Sequence, residues 1–230
     1  GNLEITAENL LLKDGSSLLA DTENEGNAGD IKLKVNNNII LEGEGSAALD
    51  RSQIVPSQIS TTVESDAVGE GGNIDIWANS LSIDDGGFIS SRTSGKGNAG
   101  NIKLKVSNEI IIKGIDSDAI PREITATFGS DAVGDGGNID ITTGLLSLND
   151  GGIISSDTSG DGKAGNLNIK TNNLTLRNDA RVSATTFGSG DAGDLNIITD
   201  FFRLEDTSQL GAITFGEGDA AFYDLAESMF

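Results

Sequence analysis

The sequence has no cysteine and no histidine. That excludes disulfide frameworks, cysteine nucleophiles, Ser-His-Asp triads and histidine-ligated zinc or iron sites. Proline occurs twice and aromatic residues make up 4% of the chain. Basic residues are scarce, 15 Lys plus Arg against 36 Asp plus Glu, for a net charge of −21. Such a chain is a poor holder of phosphate backbones or anionic lipid, so no nucleic-acid partner is expected. No apolar run approaches the ~20 residues that span a bilayer. The remaining metal ligands are carboxylates, amides and carbonyls, which suit hard ions such as calcium. Glycine, at 31 residues, is abundant. Many glycines with few prolines mark tight turns, not a disordered linker. At 230 residues the chain can bury a sizeable core.

One phrase recurs: Gly, then Asn or Asp, then Ile or Leu, any residue, and again Ile or Leu. It begins at Gly1, Gly29, Gly72, Gly100, Gly137, Gly165 and Gly193. Gly137, Gly165 and Gly193 are evenly spaced, and the same interval separates Gly1 from Gly29 and Gly72 from Gly100. The units from Gly29 and Gly100 are longer. Residues 1–220 thus read as seven units, and residues 221–230 are left over as a tail. Within the unit from Gly165, Leu167 and Ile169 alternate with polar residues, as do Leu174 and Leu176, and then Ala180, Val182 and Ala184. Asn172-Asn173, Asn178-Asp179 and the stretch from Phe187 to Ala192 punctuate these runs. The pattern predicts three short strands and three turns per unit, with no helix in the repeats.

Three short strands cannot bury an apolar edge alone. Stacking like strands of successive units does so, and the predicted fold is an all-β solenoid of about seven coils with three parallel sheets. Ile74, Ile102, Ile139 and Leu167 belong to one interior column, Leu81, Leu146 and Leu174 to a second, and Leu18, Ile59, Ile89, Ile124, Ile154, Val182 and Leu210 to a third. Val182 is expected inward and Ser183 outward, so that a charge is ruinous at the first and nearly silent at the second. The residue after each opening glycine (Asn2, Asp30, Asn73, Asn101, Asn138, Asn166, Asp194) should form a hydrogen-bonded ladder along the stack.

The wording GNLNIKTNNLTLRNDARVSATTFGSGDAG, from Gly165 to Gly193, resembles the repeats of filamentous-haemagglutinin-like two-partner-secretion exoproteins. It is most similar in style to those of cyanobacterial S-layer-family type. The resemblance covers the seven repeat units. It implies a right-handed parallel β-helix, export through a partner outer-membrane pore, and a role at the cell surface, often in adhesion. The secretion domain of such proteins, with its Asn-Pro-Asn motifs, is not in this sequence. The chain also opens on a core motif without a targeting segment. Both features suggest an internal or C-terminal piece of a longer protein.

The two longer units carry their extra residues from Gly43 to Ser57 and from Gly114 to Arg122. Both insertions should leave the same corner, and they carry Arg51, Pro56, Pro121 and Arg122 as candidate partner-binding residues; tolerated surface drift is the plainer reading. The acidic turns offer Asp131, Asp135, Asp191 and Asp194 as weak calcium candidates. They recur once per coil, unlike tandem calcium-binding nonapeptides, so solvated turns account for them better, and no cofactor is expected. Asp75 and Asp140 occupy equivalent outward places but are read as lacking a basic partner in register, which argues against an enzyme. Trp77 and Phe88 fall on outward parities. Phe128, Phe187 and Phe215 share a corner position that suggests a stack inside the fold. In the tail, Phe222, Leu225, Ala226 and Met229 are spaced as one helical face, predicting a short C-terminal cap on the chain's own last coil or a head-to-tail contact with a second copy.

The expected function is an exported cell-surface structural or adhesin segment that displays loops to surface glycans or other molecules. A carbohydrate-active β-helix, binding or cleaving polysaccharide, is the alternative.

Overall fold

The computed structural model describes residues 1–46, 54–114, 123–127, 129, 132–160, 162–216, 218–219 and 223–227. These are all-β, and no helix occurs among them. Successive units lie side by side as parallel strands. Leu3–Ala7, Ile31–Val35, Ile74–Asp84, Ile102–Lys113, Ile139–Asn149, Leu167–Arg177, Leu195–Thr199 and Tyr223–Glu227 pair in that order. A second parallel sheet orders Ser17–Leu19, Gln58–Ser60, Phe88–Ser90, Glu123–Thr125, Ile153–Ser155, Arg181–Ser183 and Gln209–Gly211.

The register follows the opening phrase. Ile74 lies beside Ile102, Ile102 beside Ile139, Ile139 beside Leu167 and Leu167 beside Leu195. Isoleucine and leucine therefore stack on their own kind down each column, and Ile74, Leu104, Ile139, Leu174 and Val182 are fully buried. The predicted third-column residues Ile59, Ile89, Ile124 and Ile154 are likewise fully buried, while Leu18 and Leu210 pack against the core from the two ends.

Two features differ from the strand grammar read in the sequence. In the four units from Gly72 to Gly165 the first two strands are one continuous strand, 11 residues in Leu167–Arg177, whereas the units from Gly1, Gly29 and Gly193 keep the two strands apart as predicted. Asn172 and Asn173 do not break it. They are consecutive exposed residues, so the alternation slips by one, and Leu174 and Leu176 return to the interior. At the equivalent place in Ile102–Lys113 the pairing register shifts, between Lys105 and Glu109. The insertion after Gly43 forms an antiparallel ribbon, Glu44–Ser46 against Ile54–Pro56, with Glu44 opposite Pro56.

Ser183 is not at a silent surface position. It alternates with Val182 as expected but is only 2% exposed, and it donates a hydrogen bond to Asp157 Oδ2 at 2.9 Å. The outer side of the second sheet is lined by buried hydroxyl residues, Ser60, Ser90, Thr125, Ser155 and Ser183.

The expected helical tail is a strand. Tyr223–Glu227 runs parallel to Leu195–Thr199, with Tyr223 beside Leu195 and Leu225 beside Ile197. Tyr223 follows Leu195 at the same interval at which Leu195 follows Leu167, so the repeat period is continued. A sheet edge offers a full row of unpaired N–H and C=O groups. A tail this short makes at best a marginal helix, so the ladder wins.

Candidate functional site

Three outward surfaces concentrate polar chemistry. The first is an open groove of about 640 Å³ that runs from Glu70 in the unit from Gly29 to Asp194 in the unit from Gly193. Its walls are two ladders of side chains. In one, the side-chain oxygen of Asn2 accepts from the Asp30 N–H at 2.9 Å, and the same contact repeats from Asp30 to Asn73, Asn73 to Asn101, Asn101 to Asn138, Asn138 to Asn166 and Asn166 to Asp194. The ladder expected from the sequence is thus continuous over all seven units. A second ladder, made by residues at the close of each unit just before the next opening glycine, was not anticipated: the Glu70 N–H donates to Asn27, Asn98 to Glu70, Asp135 to Asn98, Lys163 to Asp135 and Asp219 to Asp191. Its members vary in type, which hides the column in a linear reading.

These ladders place the weak calcium candidates. Asp135 and Asp191 stand in the second ladder, where each carboxylate accepts a backbone N–H. Lys163 pairs with Asp191 at 2.8 Å. That hydrogen bond, with the Asp219 N–H, lowers the Asp191 pKa, and the same pairing raises that of Lys163. Asp194 ends the first ladder, and Asp131 lies outside the described residues. Among the described residues no group of three or more Asp and Glu is arranged to hold a metal ion.

The second surface is the outer side of the second sheet. Here Glu123 is partly buried between Phe88 and Ile153 of the adjacent strands. Burial pushes its carboxyl up to about 7, Arg92 opposes the shift, and Asp157 adds to it. Asp157 accepts hydrogen bonds from Arg181 Nη2 at 3.0 Å, Ser183 Oγ at 2.9 Å and the Thr185 N–H at 2.7 Å. Two carboxyls and two arginines thus converge from four units that the linear reading treated separately. The insertion just before Glu123 had obscured the alignment.

Glu123 has a consequence for stability. Between its ordinary value of 4.5 and about 7, the folded protein keeps a proton that the unfolded chain releases. Stability from this group is therefore complete below pH 4.5 and falls as the pH rises through 7, by up to about 3 kcal/mol. Glu123→Gln removes the titration. The melting temperature of the variant relative to the wild type is expected to rise by about 6–10 °C between pH 4.5 and pH 8.5. A pH-independent difference in thermal scans would refute the assignment.

The third surface is the outward face of the first sheet. Lys32, Asp75, Lys103, Asp140 and Asn168 follow one another across adjacent strands, and Lys34, Trp77, Lys105, Thr142 and Lys170 form the next column. Asp75 and Asp140 therefore do have a basic partner in register, contrary to the sequence reading: Lys103 lies between them. The insertion in the unit from Gly100 had masked the alignment of Lys103 with Asp140. Lys34 pairs with Glu4 at 3.0 Å. Trp77 is half-buried and lines an open groove of about 640 Å³ with Lys34, Asn79, Lys105, Thr142 and Asn172.

The remaining sequence candidates are scattered. Pro56 ends the antiparallel ribbon and Leu225 lies in the last strand. Arg51, Pro121, Arg122, Phe128, Phe222 and Met229 fall outside the described residues. Phe187 and Phe215 do stack, with ring centroids 5.2 Å apart, but at the surface and not inside the fold: they are 48% and 65% exposed. No helix among the described residues is long and apolar enough to cross a membrane.

No family profile, no curated protein and no solved structure matches the chain.

Proposed function

We propose that the chain is a right-handed β-solenoid of about seven coils, with Tyr223–Glu227 opening a further pass, and that it serves as a rigid segment of an exported cell-surface protein. The observation that carries this reading is the parallel register, which advances by one unit from each strand to the next. Each coil then adds about 4.8 Å, giving a rod of roughly 34 Å from seven. Continuous side-chain ladders along the rod favour stiffness. Export through a partner pore and attachment to surface glycans or other surface molecules follow from the sequence resemblance.

A solenoid tolerates loss of a whole coil and not of half of one. Deleting residues 137–164 would bring Leu167 beside Ile102 and is expected to leave a cooperative β-sheet spectrum. Deleting 151–164 removes half a period and should abolish cooperative unfolding. If both deletions unfold alike, the solenoid reading fails. For location, antibody against this chain is expected to label intact source cells; labelling only after permeabilisation would overturn the surface role.

A second reading, polysaccharide cleavage, is favoured by the Glu123 cluster. A carboxyl that is half-protonated near neutral pH is suited to general-acid catalysis. New reducing ends from acidic or neutral polysaccharide, lost in Glu123→Gln, would establish it.

A further inference from the structure

The first sheet's outward face departs from the composition of the rest of the molecule. The chain carries 36 acidic residues, yet Thr6, Lys34, Trp77, Lys105, Thr142, Lys170 and Ile198 succeed one another across seven strands without a carboxylate. Five of the nine lysines lie on this face: Lys32, Lys34, Lys103, Lys105 and Lys170. All five are exposed. Among the described residues Lys34 alone of the five is ion-paired, to Glu4. Lys103 lies beside both Asp75 and Asp140 in register and closes a bridge to neither. The chain's one tryptophan, Trp77, stands in register between Lys34 and the unpaired Lys105 and lines an open groove.

We propose that this face binds an acidic polysaccharide along the sheet, with Trp77 under a sugar ring and Lys105, Lys103 and Lys170 on its carboxylate or sulfate groups. The inference deepens the surface reading above by naming the class of ligand. Three features select this occupant. Lysines repeated across the strands match a polymer bearing a negative charge on each repeat, and strands about 4.8 Å apart place Lys34 and Lys170 roughly 19 Å from one another. A half-buried indole offers an apolar face and a fixed orientation, which suits the C–H side of a sugar. The amides and hydroxyls of Asn79, Thr142 and Asn172 supply hydrogen-bond partners for ring hydroxyls along the same groove. The chain's net charge of −21 opposes a polymer as densely charged as nucleic acid, which needs many phosphate contacts. A polyuronate or a sparsely sulfated glycan is less densely charged than a nucleic-acid duplex and offers a stackable ring.

The test is equilibrium binding of the purified chain to polygalacturonate and to kappa-carrageenan, with neutral dextran, single-stranded DNA and polyphosphate as comparison polymers. The wild type is expected to bind at least one acidic polysaccharide with an affinity that falls with salt, and neutral dextran not at all. Binding to both acidic polymers would make charge pattern the recognised feature; binding to one would identify carboxylate or sulfate. Lys103→Ser with Lys105→Ser should weaken binding about tenfold or more. Trp77→Ala should weaken it about fivefold even at low salt. All three positions point outward, so the variants should melt within a few degrees of the wild type; Lys13→Ser, outside the face, controls for loss of one charge. Equal or tighter binding to DNA or polyphosphate, or indifference to Trp77→Ala, would reduce the face to a nonspecific cation patch and overturn the proposal. So would a concentration-dependent dimer lost in the same variants, which would put a second copy there. The two readings fail separately: labelled intact cells without polysaccharide binding sink only the ligand, and binding without labelled cells sinks only the location.

Discussion

Gly165→Ala is expected to destabilise the protein by about 3 kcal/mol or more, enough to lower the melting temperature by roughly 6–12 °C. The opening glycine of each unit is there because the units stack, not because of an unusual backbone angle. A Cβ at Gly165 would coincide with the carbonyl oxygen of Gly137 and would meet Ser156 Oγ at 2.6 Å. The same overlap arises at Gly29, Gly72, Gly100, Gly137 and Gly193 with the glycine carbonyl of the preceding unit. That carbonyl cannot easily retreat, since the Gly137 oxygen accepts a hydrogen bond from Ser156 Oγ at 2.6 Å. The first residue of the column is the internal control. A Cβ on Gly1 meets nothing within 4 Å, so Gly1→Ala should be neutral. Ser156→Ala in the Gly165→Ala background should recover part of the loss by freeing the carbonyl. Equal melting of the two glycine variants would show that the units are not stacked at this distance.

The glycine column also explains why so much of the fold was legible. A phrase that must recur wherever units stack leaves a period in the sequence, and the period fixes the register. From the register follow the interior columns and the asparagine ladder, since both need only the position of a residue within its unit. What the sequence hid were relations that cross units of unequal length. Arg92, Glu123 and Asp157 come from three units at unequal intervals along the chain, because the longer closing turns and insertions displace them from a common period. Asp75 and Lys103 are one short unit apart and could have been aligned, but Asp140 lies one long unit beyond Lys103. Burial on the outer side of the second sheet was invisible for another reason. Serine and threonine there read as solvent-facing by alternation, whereas their hydroxyls are consumed by Asp21, Asp157 and neighbouring hydroxyls. In the tail two periodicities competed. Four apolar residues fit a helical face, but Tyr223 and Leu225 also fall one unit beyond Leu195 and Ile197, and an open sheet edge decides between them.

Val182→Asp is expected to abolish cooperative unfolding or soluble expression. Val182 is fully buried, paired in register with Ile154 on one side and Leu210 on the other. Among the described residues that interior column consists of aliphatic side chains, with no cation to face a carboxylate. A carboxylate there must either stay ionised without a partner or take up a proton at neutral pH, and either costs several kcal/mol. That is a large fraction of the roughly 5–15 kcal/mol that stabilises a typical domain. The neighbouring position separates burial from parity. Ser183→Asp points the other way but sets a second carboxylate against Asp157 and removes the hydroxyl that donates to it, so it too should destabilise, by about 1–3 kcal/mol. Its loss should shrink at low pH, where the introduced carboxyl can hold a proton, whereas lowering the pH leaves Val182→Asp a polar group without a partner in the core. The outward control is Asn168→Asp on the first sheet, which gives up a hydrogen bond to Asp140 Oδ1 and sets two carboxylates side by side, but in solvent, so it is expected to melt within a few degrees of the wild type. Circular dichroism melts of the three variants at pH 5 and pH 8 make the comparison. Should Val182→Asp unfold as cooperatively as Asn168→Asp, the third column is not the interior of the protein.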